Sequence, residues 1–460
     1  MSWWLPSYLE INVDIDSFLN PFQRFGVHLG LERIQKLLAD LDNPHHSVPV
    51  IHVAGTNGKG SVCAYLSAVL TEAGYRVGRY TSPHLVDWNE RICLNEQLIS
   101  TEALAELLLQ VQAAIPENSE DSPTQFEVIT AAAWLYFAQQ QVDIAVMEVG
   151  LGGRLDATNV CRPLVTIITS LSLEHWQVLG PTLADIAGEK AGILKPGCPA
   201  VVGQLPSEAK AVVERRINEL GCPTVWVKPA VELPPPTPPY QGGEQEALLP
   251  LTKGGTKGGF PKRWADYEGI KYPLPLLGEI QLSNSAIAIA TLQILSSQGW
   301  EIPEKAIASG MAKTKWPGRL QWATWNNHRL LIDGAHNPAA AIALRQYVDT
   351  LNTPLTWVMG ILSTKDHADI FNALLRPADR LYLVPVPDHS SADPDALATL
   401  AQNICPELAD CRTYANLEAG LQAATSNPAE ASENLIVLCG SLYLVGYFLK
   451  QSTFHSSPPQ

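Results

Sequence analysis

The sequence predicts an α/β protein: a P-loop-containing, mostly parallel sheet with helices on both faces, followed by a smaller Rossmann-like α/β unit. Three observations lead there. Apolar, β-rich runs of about four to eight residues alternate with longer amphipathic stretches, the pattern of βα units around a buried parallel sheet. A glycine-rich turn holding Lys59 falls between a predicted strand and a predicted helix. The alternation then begins a second time near Arg329. At 460 residues the chain has room for about two to four folding units, and two large ones are expected.

In the first unit, short apolar runs predict strands at Val48–Ala54, Val142–Val149, Leu164–Thr169 and Ala200–Val202. Longer periodic stretches predict helices at Ser61–Ala73, Thr101–Ala114, Gln125–Gln140, Thr182–Ala191 and Glu208–Leu220, and another starting at Leu282. The second series places strands at Leu330–Asp333, Leu355–Met359, Arg380–Val384 and Leu435–Cys439. The boundary is expected near Ala312–Leu320, giving units 1–314 and 315–460. From Pro229 to Lys262 the chain is rich in proline and glycine, which remove donors and raise the entropy of the unfolded chain. That composition disfavours helix or buried strand, so 229–262 reads as an exposed insertion in the first unit. Ser452 to Gln460 are expected to fray.

Hydrophobic residues at 46% and charged residues at 17% supply a large core and exclude wholesale disorder. Thirty-one basic and 46 acidic residues give a net charge of −15, the wrong field for a sequence-independent nucleic-acid binder. Anions can still be held locally by backbone amides, helix N-termini, a few arginines and a divalent cation. The eight cysteines form no C-x-x-C pair and no zinc spacing, so buried thiols in a reducing compartment are expected. Met-Ser-Trp-Trp-Leu-Pro at the start lacks the basic and apolar regions of a signal peptide. The longest charge-free apolar stretch, Leu435 to Leu449, is interrupted by Gly440, Ser441 and Gly446 and is shorter than the ~20 residues of a membrane span. A cytoplasmic protein with neither membrane nor nucleic-acid partner is expected.

The run Val50-Ile-His-Val-Ala-Gly-Thr-Asn-Gly-Lys-Gly-Ser61 has the physics of a phosphate cradle. Its glycines let backbone N–H groups approach phosphate oxygens, the helix N-terminus adds positive charge, and Lys59 can reach the β and γ phosphates. The strict G-x-x-x-x-G-K-[ST] pattern is not met: Val53 holds the first glycine position, Gly60 follows the lysine, and Ser61 comes one residue late. Elsewhere, Glu148 ends a strongly apolar strand, where a carboxylate is costly unless paired or bound to a cation. His175 taken alone reads as a hydrogen-bonded loop histidine, Lys190 as a solvated helix residue and Phe126 as core.

Ala54-Gly-Thr-Asn-Gly-Lys-Gly-Ser61 resembles the variant P-loop of the Mur ligase superfamily, and the glycine after the lysine is most similar to its folylpolyglutamate synthase and dihydrofolate synthase branch. Other segments carry the same resemblance: Phe25-Gly-Val-His-Leu-Gly-Leu-Glu-Arg33, Thr81-Ser-Pro-His84, Glu148-Val-Gly-Leu-Gly-Gly-Arg-Leu-Asp-Ala-Thr-Asn159, His175 with Leu179-Gly-Pro-Thr182, and Glu189-Lys-Ala-Gly-Ile193. Trp316-Pro-Gly-Arg319, Asp333-Gly-Ala-His-Asn-Pro338 and Gly440-Ser-Leu-Tyr443 extend it into the second unit.

This resemblance implies a Mur ligase type of fold and a set of roles. Gly55, Thr56, Asn57, Gly58, Lys59, Gly60 and Ser61 would cradle ATP, with Asn284, Arg319 and Asp333 also on the nucleotide and His336 close to the γ-phosphate. Lys59, Lys190, Arg319 and His336 are the implied catalytic residues. Ser82, Glu148 and His175 would hold the catalytic Mg²⁺, and Lys190, N-carbamylated in that family, would help hold a second. Leu29, Arg33, Phe126, Arg154 and Asp156 fall on the pterin or acyl side. Two departures stand out: Ile280 occupies the usual histidine position of a G-x-H-Q-x-x-N segment, and Glu174 replaces the aspartate that commonly precedes the histidine.

The implied activity, in folate biosynthesis and one-carbon metabolism, is ATP-dependent ligation of L-glutamate to dihydropteroate, to the glutamate tail of reduced folates, or to both, through an acyl phosphate, by a monomer. Two alternatives remain. A Mur-type muropeptide ligase should carry a further N-terminal domain, and only about 50 residues precede the loop, fewer than a typical domain. A non-catalytic ATP-binding switch protein has no need of Glu148, His175 and Lys190 together.

Overall fold

The computed structural model describes residues 14–23, 29–116, 122–234, 263–426 and 434–454. The larger sheet has eight strands: β1 (Val50–Ala54), β2 (Val77–Tyr80), β3 (Ile92–Leu94), β4 (Gln97–Leu98), β5 (Ile144–Glu148), β6 (Val165–Ile168), β7 (Ala200–Val202) and β8 (Thr224–Trp226), in the order β4-β3-β2-β5-β1-β6-β7-β8. From β2 to β8 every pairing is parallel, and β3 and β4 close one edge as antiparallel additions. All five residues of β1 and of β5 are buried, as strands covered on both faces require.

On one face lie the helices Lys59–Glu72 and Ile280–Ser297, whose side chains form one core with β1, β5 and β6. The other face is covered by Gln125–Gln139, Thr101–Ala113, Glu32–Asp40 and Ile15–Gln23. Lys59–Glu72 shows no solvent stripe because ten consecutive residues, Ser61 to Leu70, are buried. It begins two residues before the predicted Ser61, since Gly58, at φ 89°, caps it in the left-handed region. That earlier start brings Lys59 and Gly60 into the first helical turn.

The second large sheet contains β12 (Gln321–Trp325), β13 (His328–Ile332), β14 (Leu355–Met359), β15 (Arg380–Leu383), β16 (Asp410–Thr413) and β17 (Leu435–Cys439), ordered β12-β13-β17-β14-β15-β16. Only β12 runs antiparallel to its neighbour. A third, three-stranded antiparallel sheet joins β9 (Val231–Leu233), β10 (Arg263–Tyr267) and β11 (Ile270–Leu274).

This small sheet modifies one expectation. The first residues of the expected insertion form β9, an outward-facing strand tied to β10 by Arg263 and Glu232 at 2.7 Å; residues 235–262 of the insertion lie outside the described residues. Similarly, the helix Leu442–Phe454 runs into the segment expected to fray, and 455–460 are outside the described residues. The strand β2 was not expected because Gly78 and Arg79 interrupt its apolar character. Gly78 makes room for the Phe137 ring, and Arg79 is buried against Glu96 at 2.7 Å. Among the described residues no helix is long and apolar enough to cross a membrane.

Candidate active site

A cavity of about 680 Å³ opens at the C-terminal ends of β1 and β5 and is lined by residues of both large sheets, the place where open α/β sheets bind ligands. Thr56 to Ser61 form its floor. The Lys59 ammonium donates to the Thr56 carbonyl at 3.1 Å and stands 3.9 Å from the Glu148 carboxylate. A Cβ on Gly60 would overlap the Trp316 indole, and one on Gly58 would overlap the Asn284 amide. The departure from the strict P-loop pattern therefore has a local cause: the residue after the lysine lies under an aromatic ring reaching over from the segment that leads into β12.

Glu148 is 4% exposed. Burial raises its pKa, opposed by Lys59, the Ser82 N–H, Arg319 and Arg91. Its Oε2 accepts from the Ser82 N–H at 3.1 Å, so Ser82, before a cis peptide to Pro83, lies directly beside it. His175 lines the same cavity with its side chain 48% exposed, and burial brings its pKa down to about 4, against the pull of Glu174. A neutral imidazole and a buried carboxylate fit a divalent cation. Among the described residues no group of three or more His, Cys, Asp or Glu side chains is arranged to hold a metal. A cation here would complete its shell with phosphate oxygens and water, as Mg²⁺ habitually does.

The opposite wall comes from the second sheet. Asp333, just past β13, accepts from the Leu320 and Ala335 N–H groups, each at 2.8 Å. It thereby holds Leu320 at φ 43°, a strained backbone for a branched residue, beside Arg319 and just before β12. Burial lowers the pKa of Arg319, with Asp333 and Glu148 opposing. His336 Nδ1 lies 2.7 Å from the Gly334 carbonyl oxygen and its Nε2 3.1 Å from Glu174 Oε1. Lys365 meets the same Glu174 oxygen at 3.1 Å. Burial alone would raise the Glu174 pKa, but His336, Lys365 and His175 together hold it far below the ordinary carboxylate range. Asn57 and Asn337 exchange hydrogen bonds at 3.1 Å across the same seam.

The expected residues divide clearly by position. Leu29, Phe126, Asp156, Ser82, Glu148, His175, Asn284, Arg319, Asp333 and His336 all line the cavity with Thr56 to Ser61. Gly55 and Lys190 lie just behind the floor: Lys190 is buried, and its ammonium donates to the Gly55 carbonyl at 2.9 Å. Burial, with Lys59 nearby, brings the Lys190 pKa down to about 7. Arg33 is set back from the lining, buried against Glu127 at 3.1 Å. Arg154, expected on the substrate side, is instead outside the cavity; it is exposed and pairs with Glu189 at 2.8 Å, lining a second depression near Leu179 and Asp185. In the N-terminal segment, Phe25 to His28 lie outside the described residues. Ile280 also lines the cavity, 40% exposed, so an apolar side chain stands on the lining at the usual histidine position.

Sequence reasoning assigned nothing to Arg91, Lys365 or the ion pairs of Glu174, although all line the site. Lys365 belongs to none of the recognised segments. Trp316, Asn337 and Tyr443 stand inside the segments that resemble the ligase family, and that is the sequence signal that marks them.

The profile of the Mur ligase middle domain matches residues 53–292, and that of the dihydrofolate synthetase C-terminal domain matches 319–451. The chain is 35% identical over 434 residues to folylpolyglutamate synthase of Lacticaseibacillus casei, covering 93% of this chain and 95% of that one. Among solved structures, Mycobacterium tuberculosis folylpolyglutamate synthase complexed with ADP and AMPPCP superposes with a TM-score of 0.80 at 30% identity, over 97% of this chain and 100% of the other. A bifunctional folylpolyglutamate synthase/dihydrofolate synthase with Mn, AMPPNP and L-glutamate bound gives 0.77 at 29% identity, covering 94% and 97%.

Proposed function

Because this chain belongs to the folylpolyglutamate synthase and dihydrofolate synthase family of Mur-type ligases, we propose that it joins L-glutamate to dihydropteroate and to the glutamate tail of reduced folates at the expense of ATP. The observation that carries the reading is the single cavity in which Gly58 to Ser61 and Glu148 face Arg319, Asp333 and His336 of the other sheet.

In this reading the amides of Asn57 to Ser61 and the Lys59 ammonium bind the phosphates, and Arg319 neutralises charge gathering on the transferred phosphoryl group. Asn284 and Asp333 contact the nucleotide, and His336 lies toward the γ-phosphate. The acceptor carboxylate attacks the γ-phosphorus, ADP leaves, and the resulting acyl phosphate is attacked by the glutamate amine; collapse of the tetrahedral adduct gives amide and phosphate. Positioning and charge neutralisation supply most of the rate. Leu29, Phe126 and Asp156 line the pterin side, with Phe126 as the stacking ring.

Ser82, Glu148 and His175 would hold Mg²⁺, which when bound supplies charge to the phosphates and orients them. A second ion is assigned to a carbamate on Lys190: an amine brought to about 7 by burial is unprotonated often enough near neutral pH to capture carbon dioxide. Units 1–314 and 315–460 would close on each other about Arg319, within a monomer, assembling the site and excluding water.

Phosphate release with ATP, Mg²⁺ and L-glutamate tests the reading, with dihydropteroate and tetrahydrofolate as separate acceptors. Release with both is the expected result. If neither acceptor supports release, the folate assignment falls; release with one alone restricts it to that activity.

A further inference from the structure

We propose that Arg91 recognises the acceptor's carboxylate, holding it through both terminal nitrogens beside Glu148 and facing the phosphate loop. The inference deepens the ligase reading above and rests on it, since it needs an acid acceptor.

Arg91 follows the loop that carries Ser82 and leads into β3. Its carbonyl accepts from the Thr81 N–H at 3.0 Å, so it lies across the strand pair from the residue before Ser82. The guanidinium lines the cavity and is fixed by neutral groups. Its Nε donates to His84 Nδ1 at 2.9 Å, it lies 4.4 Å from the centre of the Trp88 ring, and the Tyr80 hydroxyl is within hydrogen-bonding reach. His84 offers Nδ1 as the acceptor that faces the Arg91 Nε–H. Trp88 and His84 in turn pack ring to ring at 4.6 Å, so the plane of the guanidinium is set before any ligand arrives.

The other cations of the cavity are already engaged. Lys59 serves the phosphates, Lys365 and His336 share Glu174, and Arg319 faces the transferred group at the hinge. Among the described residues no carboxylate forms an ion pair with Arg91. A cation enclosed in this way without an anion is expensive, and burial accordingly lowers its pKa, with Tyr80, Tyr443 and Glu148 opposing. With Nε spent on His84 and the Tyr80 hydroxyl alongside, the terminal N–H groups that these partners leave over form the fork that matches a carboxylate.

Position selects which carboxylate. Tyr80 connects Arg91 to the pterin side, its ring 6.3 Å from that of Phe126, while Glu148 on the other side marks the phosphoryl-transfer centre. An acid entering a cavity that already holds Glu148, Asp156 and Glu174 meets repulsion, and Arg91 offsets it where the acceptor's acid must sit.

The test compares pteroic acid with its primary amide, pteroamide, by fluorescence titration against wild type, Arg91→Gln and Arg91→Lys, with ADP binding measured on each protein as the control for folding. Wild type should prefer the acid by about tenfold to a hundredfold, the range of a charge-assisted hydrogen-bonded pair. Arg91→Gln should bind acid and amide equally, with ADP affinity unchanged, and Arg91→Lys should keep part of the preference. A preference retained in Arg91→Gln overturns the proposal, as does a wild type indifferent to the acid. A variant that instead raises only the KM for L-glutamate also overturns it, giving Arg91 to the incoming amino acid. Failure of wild type to bind either pteroyl compound takes down the folate reading itself, and the proposal with it.

Discussion

The floor of the cavity and its seam handle charge in opposite ways. The floor is one continuous segment, Thr56 to Ser61, holding a single lysine, and its glycines leave room for Asn284 and Trp316 to approach it closely. The seam is assembled from residues far apart in the chain: Glu174 meets Lys365 across 191 positions and Asn57 meets Asn337 across 280. A phosphate cradle made of backbone persists whenever its own sheet is folded. A seam made of paired side chains exists only when the two sheets come together, so catalysis that depends on it should be conditional on closure.

The largest effect should come from the floor and from the carboxylate beside it. Lys59→Ala and Glu148→Gln should each cost about 10²–10³ in turnover or more, measured by phosphate release, with the melting temperature of Lys59→Ala close to wild type. Comparable turnover in either variant would separate the floor from the chemistry. The seam should yield a smaller loss. Glu174→Gln leaves Lys365 and His336 without their shared anion; the resulting destabilisation is expected at about 1–3 kcal/mol, below that of a fully buried pair because the cavity admits water. Solution scattering with ATP analogue and acceptor should show less compaction than wild type, and Glu174→Asp should recover part of it; equal compaction in Glu174→Gln would remove Glu174 from closure.

Lys190 gives a pH-dependent prediction behind the floor. Its pKa is lowered from 10.5 to about 7, so between those values the unfolded chain holds a proton that the folded chain lacks. Stability therefore rises with pH through this window, and the gain is lost as pH falls through 7. Lys190→Met should flatten the rise in denaturant titrations made between pH 7 and 9. Labelled bicarbonate should give a carbamate carbon resonance in wild type that the variant lacks, and no such signal would leave Lys190 as a plain amine. The smallest effect is expected at Ile280→His, which restores the family's usual residue on an exposed part of the lining: stability within about 0.5 kcal/mol and a gain of no more than a few-fold in ADP affinity by titration.

The same contrast explains what the sequence made legible. Strands such as Ala200–Val202, Leu355–Met359 and Leu435–Cys439 coincide with their predicted limits, because a strand buried on both faces declares itself as an unbroken apolar run. The phosphate loop was readable for a related reason: its chemistry resides in consecutive residues. Arg91 and Lys365 carry no such local mark. An arginine beside Glu90 in the sequence looks like an ordinary surface pair until the fold turns Glu90 to accept from the Leu85, Val86 and Asp87 N–H groups and leaves Arg91 to the cavity. Arg154 erred in the other direction, since membership in a glycine-rich signature does not say which way a side chain points.

Trp316 over Gly60 has a kinetic consequence. The ring meets the phosphate loop so closely that a single methyl group on Gly60 would not fit beneath it, and the hinge that carries it continues into the second sheet. Release of spent nucleotide past such a cover should require the second sheet, a body of more than a hundred residues, to swing away through solvent. Exchange of ADP should thus feel the friction of the medium, and turnover at saturating substrate should slow in proportion to the viscosity of added sucrose.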